Sequence, residues 1–156
     1  MNRLENYVAQ LRDAIHGDLW IDETFAKKLE PLSAHAAFIQ PVDGIHSVAQ
    51  LVSHLYQWQV SVFNILQGLP RTISAEDSAL DWIPNETLSL QGWDALKAAF
   101  YNGREELLEY LRTKDDSFLL ETSPTGVHTN EYYILGLIHH DMYHMGQIGL
   151  VIRLMK

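Results

Sequence analysis

Residues 130–154 read NEYYILGLIHHDMYHMGQIGLVIRL, with no proline and with glycines as the only helix-weakening residues. Tyr132, Ile134, Leu137, Ile138, Met145, Ile148, Val151 and Ile152 recur at helical spacing and go nearly all the way round, the pattern of a helix enclosed by others. Thr129 or Asn130 supplies the cap, and Glu131 falls in the first turn, where a carboxylate suits the helix dipole. The segment is therefore expected to be the central helix of a bundle. Gly146 and Gly149 each cost this helix about 1 kcal/mol relative to alanine, which points to another helix or a second subunit packed closely there.

The segments upstream agree. QPVDG at 40–44 is a turn, and Ser47 with Gln50 forms a capping box opening a helix with Val48, Leu51, Leu55, Val62 and Leu66 on its apolar stripe. That helix closes at Gly68 and Pro70. Leu4, Val8, Leu11 and Ile15 mark a first helix over about 2–16, stopped by Gly17, and ETFAKKLEPL adds a short helical piece. A third main helix runs from roughly 90 to 113 with Trp93, Leu96, Phe100, Leu107 and Leu111 inward and the charged stretches REE at 104–106 and KDD at 114–116 outward, followed by a loop, DSFLLETSPTGVHT. Residues 69–91, LPRTISAEDSALDWIPNETLSLQ, show no sustained period and read as a long ordered loop with one short helix, either a lid or a plain crossover. The expected architecture is all-α: one domain over residues 1–156, a four-helix bundle with a long connection between its second and third main helices.

Composition narrows the function. The chain carries 20 acidic against 11 basic residues, a formal charge of −9, which argues against nucleic acid and anionic membranes because both need a basic footprint. There is no cysteine, so any metal is held by His, Asp or Glu and any thiol chemistry uses an external thiol. No apolar run approaches the ~20 residues of a membrane span. The N-terminus alternates polar and apolar residues without a signal-peptide core, and a cytoplasmic location is expected.

Three of the eight histidines sit in HHDMYH at 139–144. On a helix His140 and His144 lie one turn apart on one face, the i, i+4 geometry that chelates a divalent ion, while His139 points about 100° away. With eight histidines, about 0.4 such pairs arise by chance, and spacing alone also suits two core histidines bonded to backbone or hydroxyl groups. His54 flanks the apolar stripe of the preceding long helix on the side of Trp58, Ser61 and Ile65. Two imidazoles from one helix and one from its neighbour make a three-histidine site with an open position, the pattern of a catalytic zinc.

HSVAQLVSHLYQW at 46–58, followed by HHDMYHMGQIGLV at 139–151 and preceded by LEPLSAHAAFIQPVDG, resembles the DinB-like superfamily of metal-binding four-helix bundles. The resemblance implies a compact, commonly dimeric bundle in which His54, His140 and His144 hold zinc or nickel. It also implies relatives that use low-molecular-weight thiols and others that act as metal-dependent hydrolases. The superfamily's name refers to induction by DNA damage, a statement about expression rather than DNA binding.

Three neutral imidazoles leave a bound ion its full charge, so a water or thiol ligated to it is acidified. The expected activity is hydrolysis of a small electrophile, or transfer of an external thiol to one; the alternative is a nonenzymatic bundle that uses the metal as a staple or the histidines as a ligand or pH sensor. Asp141 either hydrogen-bonds an imidazole or ties another helix, and Gln147 either faces the open coordination position or bridges helices. These two are the candidate catalytic residues, with no geometric ground in the sequence for choosing a general base among Asp141, Tyr143, Glu131 and the 69–91 loop. The expected partners are a small-molecule substrate, with a low-molecular-weight thiol as cosubstrate in the transferase reading, and a second copy of the chain.

Overall fold

The computed structural model describes residues 2–73 and 79–156. Its helices are α1 (Arg3–His16), α2 (Phe25–Leu29), α3 (Ala34–Ala37), α4 (Val48–Leu66), α5 (Asn85–Gln91), α6 (Trp93–Arg112), α7 (Asp116–Leu120) and α8 (Asn130–Leu154). No strand occurs among the described residues. Asn2 caps α1 and Ser47 caps α4, each in a complete capping box, and the Thr129 side chain caps α8. Gly92, at φ 89°, separates α5 from α6. A left-handed backbone is easy only for glycine, so the third main helix begins at Trp93 rather than at 90.

The long helices form a ring in which α4 packs on α6 and α8, and α1 packs on the same two. Their directions follow from two apolar clusters. One holds Ala14 and Ile15 from the end of α1, Val48 to Leu55 from the start of α4, Trp93 to Phe100 from the start of α6, and Met145 to Val151 from the end of α8. The other holds Leu4, Leu66, Leu111 and Ile134 from the opposite ends. Hence α4 and α6 run parallel, with α1 and α8 opposed to them. The chain leaving α4, a helix of 19 residues, must travel back about 28 Å before α6 can begin. This requirement explains the long stretch between them, the single crossover that some four-helix bundles carry.

The described part of that crossover is tied to α4 as it returns. Ile73 N–H donates to Ser61 Oγ at 3.3 Å, Gln50 Nε2 to the Ile83 carbonyl at 3.4 Å, and Ser47 Oγ to Asn85 Oδ1 at 2.7 Å. Residues 74–78 of the expected loop lie outside the described residues. The other connections stay at one end of the bundle each. Phe25, Leu29 and Ala37, from α2 and α3, close the first cluster, and Phe118 and Leu119, from α7, close the second.

Two local expectations change. Residues 34–37 and 116–120 are helical, so the start of the expected DSFLLETSPTGVHT loop belongs to a single turn, too short to show a period in sequence. And α8 is not enclosed: Tyr132, Tyr143, Leu150 and Leu154 remain exposed, because in a ring of four helices each keeps an outer face. Among the described residues, a Cβ at Gly146 would meet nothing and one at Gly149 would meet only the end of the Lys28 side chain, at 3.1 Å, so no helix backbone packs closely on those glycines.

Between the two clusters lies a buried polar layer. The Arg104 side chain is 1% exposed and donates to both carboxylate oxygens of Asp141, at 2.7 and 3.0 Å. It also donates to Gln59 Oε1 at 2.6 Å and to the Leu11 carbonyl at 3.1 Å. One guanidinium on α6 thus bonds to α1, α4 and α8 at once, fixing the height at which the four helices meet. Gly103 beside it admits α4: a Cβ there would lie 2.8 Å from Gln59 Nε2 and 3.2 Å from the Tyr56 ring.

Candidate metal centre

His54 comes from the middle of α4, and His140 and His144 come from consecutive turns of α8. Because those two helices pack side by side, the three imidazoles converge. Their ring centres lie 4.4 to 4.9 Å apart, and one ligand atom from each falls within 4.8 Å of the others. His54 and His144 are buried and His140 is half-buried, while His139 faces solvent, as its 100° offset requires.

The orientation of each ring follows from what its second nitrogen touches. His54 Nδ1 lies 3.1 Å from the Asp81 carbonyl and 2.9 Å from its carboxylate. Both are acceptors, so Nδ1 carries the proton and Nε2 presents its lone pair. His144 Nδ1 donates in the same way to Gln147 Oε1 at 2.6 Å, which leaves its Nε2 free. His54 Nε2 and His140 Nε2 are 3.0 Å apart. Two nitrogens bound to one tetrahedral ion at zinc's 2.0–2.1 Å bond length sit about 3.3 Å apart, so this pair is already near the spacing that an ion needs.

Charge state agrees with geometry. Burial lowers the His140 pKa to about 3, and the neighbouring His144, His54 and Arg104 push it the same way. Burial also lowers His54, against the Asp81 contacts that favour its charged form, and lowers His144, against Gln147. All three are neutral at pH 7, the form that binds metal. Three neutral imidazoles, two of them already oriented by acceptors, fit a divalent ion.

Asp81 and Trp82 are the members of the site that periodicity missed. The Trp82 ring lies between two imidazoles, stacked on His46 at 3.7 Å and on His54 at 4.0 Å. Asp81 Oδ1 also accepts from Trp58 Nε1 at 2.8 Å. The crossover therefore supplies the outer contacts of His54, and His46 joins the site through Trp82, outside the cluster of three. The signal was present as an Asp-Trp pair in a stretch without period. Nothing local, however, relates it to a histidine 27 residues earlier.

The other candidates fall elsewhere. Asp141 ties another helix, spending both oxygens on Arg104 rather than on an imidazole. Gln147 neither bridges helices nor stands alone; it accepts from His144 on its own helix. Tyr143 is exposed, its ring edge-on to His144 at 4.9 Å. Glu131 bonds Tyr7 and Arg3 at the start of α8, away from the histidines.

The fold and the site together define a class: a four-helix bundle in which three histidines from two adjacent helices converge closely enough to hold a divalent ion. A family model described as the DinB superfamily matches residues 21–148, which include all three histidines and most of the chain. The protein belongs to the DinB superfamily. No curated protein sequence matches the chain significantly.

Outer partners of metal-binding histidines are worth about 10–100-fold in metal affinity. Asp81→Ala is accordingly expected to weaken zinc binding by about 10–100-fold, measured by competition with a chromophoric chelator. Unchanged affinity would show that the Asp81 contact does not orient His54.

Proposed function

We propose that this protein is a metal-dependent enzyme that acts on a small molecule, a thiol S-transferase or a hydrolase, with zinc or nickel held by His54, His140 and His144. The observation that carries this reading is where the cluster sits. Among the described residues it comprises three protein ligands, and His54 and His140 border a cavity of about 360 Å³. A structural zinc site is closed by four protein ligands, whereas a catalytic one keeps a position for water or substrate.

When bound, a divalent ion in this all-imidazole setting supplies Lewis acidity, lowering the pKa of a water or thiol that it ligates. The chain's own residues do the rest. Asp81 and Gln147 hold two of the imidazoles in the ligating tautomer. Trp82 stacks on the His54 ring and Trp58 meets it edge-on, which restricts how that imidazole can turn. Asp81, whose side chain is one-third exposed, touches both His54 and the cavity, and is the carboxylate placed to hold a proton during turnover. Since the chain has no cysteine, the thiol of an S-transfer comes from a cosubstrate.

The test is an assay of zinc- and nickel-loaded protein against activated esters and against electrophiles supplied with low-molecular-weight thiols. Turnover that vanishes in His140→Ala is expected. A fully loaded protein inert in both series would overturn the enzymatic reading in favour of a metal staple.

The open face of α8 formed by Tyr143, Gly146, Leu150 and Leu154 supports a homodimer, since a glycine between exposed apolar residues lets a second helix approach closely. Light scattering is expected to give twice the mass of the 17.9 kDa chain. A monomer mass at all concentrations would overturn the dimer, and Leu150→Glu is expected to dissociate it.

A further inference from the structure

The cavity beside His54 and His140 has a chemical character of its own. Its walls are Trp58 and Val62 from α4, and Tyr132, Tyr133, Gly136 and Leu137 from α8. The polar ends of two of the aromatic walls are already engaged. Trp58 Nε1 donates to Asp81, and the Tyr133 hydroxyl accepts from Val127 N–H at 3.1 Å. What they turn to a ligand is ring surface. Among the described residues no lysine or arginine lines the cavity, and the one formally charged group there is the Asp81 carboxylate, in a chain of net charge −9. Arg104, the cation that acts on His140, is itself buried and spent on Asp141.

Gly136 keeps the space open. It stands one turn before His140 on the same face of α8, four residues after Tyr132, and a Cβ there would meet no atom within 4 Å. In a helix interior glycine is costly, and here no close approach of another element requires it. A larger side chain at this position would take up space in the cavity that Gly136 lines with His140.

We propose that this cavity binds the uncharged, apolar, ring-bearing part of the substrate and selects against anions, with Gly136 as the residue that sets its size. This deepens the proposed function and rests on it for the reactive end of the ligand. The apolar walls recognise the remainder by burial and ring stacking, while an anion would face the Asp81 carboxylate with no cationic side chain in the lining to offset its desolvation.

Two probes of similar size, 4-fluorotoluene and 4-fluorobenzenesulfonate, separate the terms. Each is titrated into purified protein of measured metal content and followed by fluorine NMR. Saturable binding of 4-fluorotoluene at least tenfold tighter than the sulfonate is expected, falling at least tenfold in Gly136→Leu. That variant adds a good helix former where there is open space, so its melting temperature is expected to hold or rise. Equal affinity for the two probes, no binding of the toluene, or a Gly136→Leu protein that binds it unchanged would each overturn the proposal. The metal reading is scored separately by the same samples. Protein that stays metal-free after reconstitution yet binds 4-fluorotoluene keeps the cavity assignment and fails the metal site, and metal-loaded protein that does not bind it fails the cavity assignment and leaves the metal site standing.

Discussion

Asp141→Ala is expected to lower the melting temperature by roughly 6–20 °C, the largest stability loss of any single substitution discussed. The reason is the environment of its partner. Arg104 is 1% exposed and Asp141 2%. Removing the carboxylate leaves a guanidinium in the bundle centre with only Gln59 and the Leu11 carbonyl to bond. Breaking a buried pair in this way costs about 3–5 kcal/mol, and 1 kcal/mol moves the midpoint of a domain of this size by about 2–4 °C. Removing both charges should cost far less: Arg104→Met with Asp141→Leu is expected to recover most of the loss. Full recovery is not expected, because Gln59 and the Leu11 carbonyl then lose their donor. A loss below about 1 kcal/mol for Asp141→Ala, read by thermal or denaturant unfolding, would mean that water reaches the layer and that the pair does not set the helix register.

The second large effect concerns the metal and leaves the fold in place. His144→Ala removes one of three ligands, so its zinc affinity is expected to fall by more than the roughly 10–100-fold that loss of an outer partner costs. His54→Ala should behave alike, though the two imidazoles come from different helices. The pair of substitutions at 141 and 144 then dissociates two roles three residues apart. Asp141→Ala unfolds early and, while folded, still binds zinc; His144→Ala stays folded and does not. Zinc affinity of His144→Ala within tenfold of the parent would remove it from the ligand set.

How much of this was legible in the sequence depended on the range of the signal. The four long helices declared themselves through their apolar stripes, and two of the three caps through local residues, Ser47 with Gln50 and Thr129 or Asn130, while Asn2 was not read as a cap. The i, i+4 relation of His140 and His144 is a property of one helix, and His54 lies on the flank of another stripe, so the cluster was readable once the two helices were taken as neighbours. The direction of α6 was not. Nothing local says that α4 and α6 run parallel, and without that the crossover reads as a loop of unknown course. Asp81 and Trp82 were lost for that reason, since their contact with His54 exists only because the chain must return along α4. Asp141 was ambiguous in a different way. Its position on α8 was clear, but its partner lies 37 residues earlier on a helix whose register the sequence leaves free. Arg104, in the REE stretch expected to face outward, is instead 1% exposed, because the Asp141 carboxylate compensates its charge in the core.

The central claim is that His54, His140 and His144 together hold one divalent ion. It is tested most directly by elemental mass spectrometry of the untagged protein, as purified and after reconstitution with zinc or nickel, beside the His140→Ala, His144→Ala double variant. The account predicts about one equivalent of metal per chain in the parent and none in the variant. A parent that retains no metal even after reconstitution, or a variant that retains as much as the parent, would contradict it.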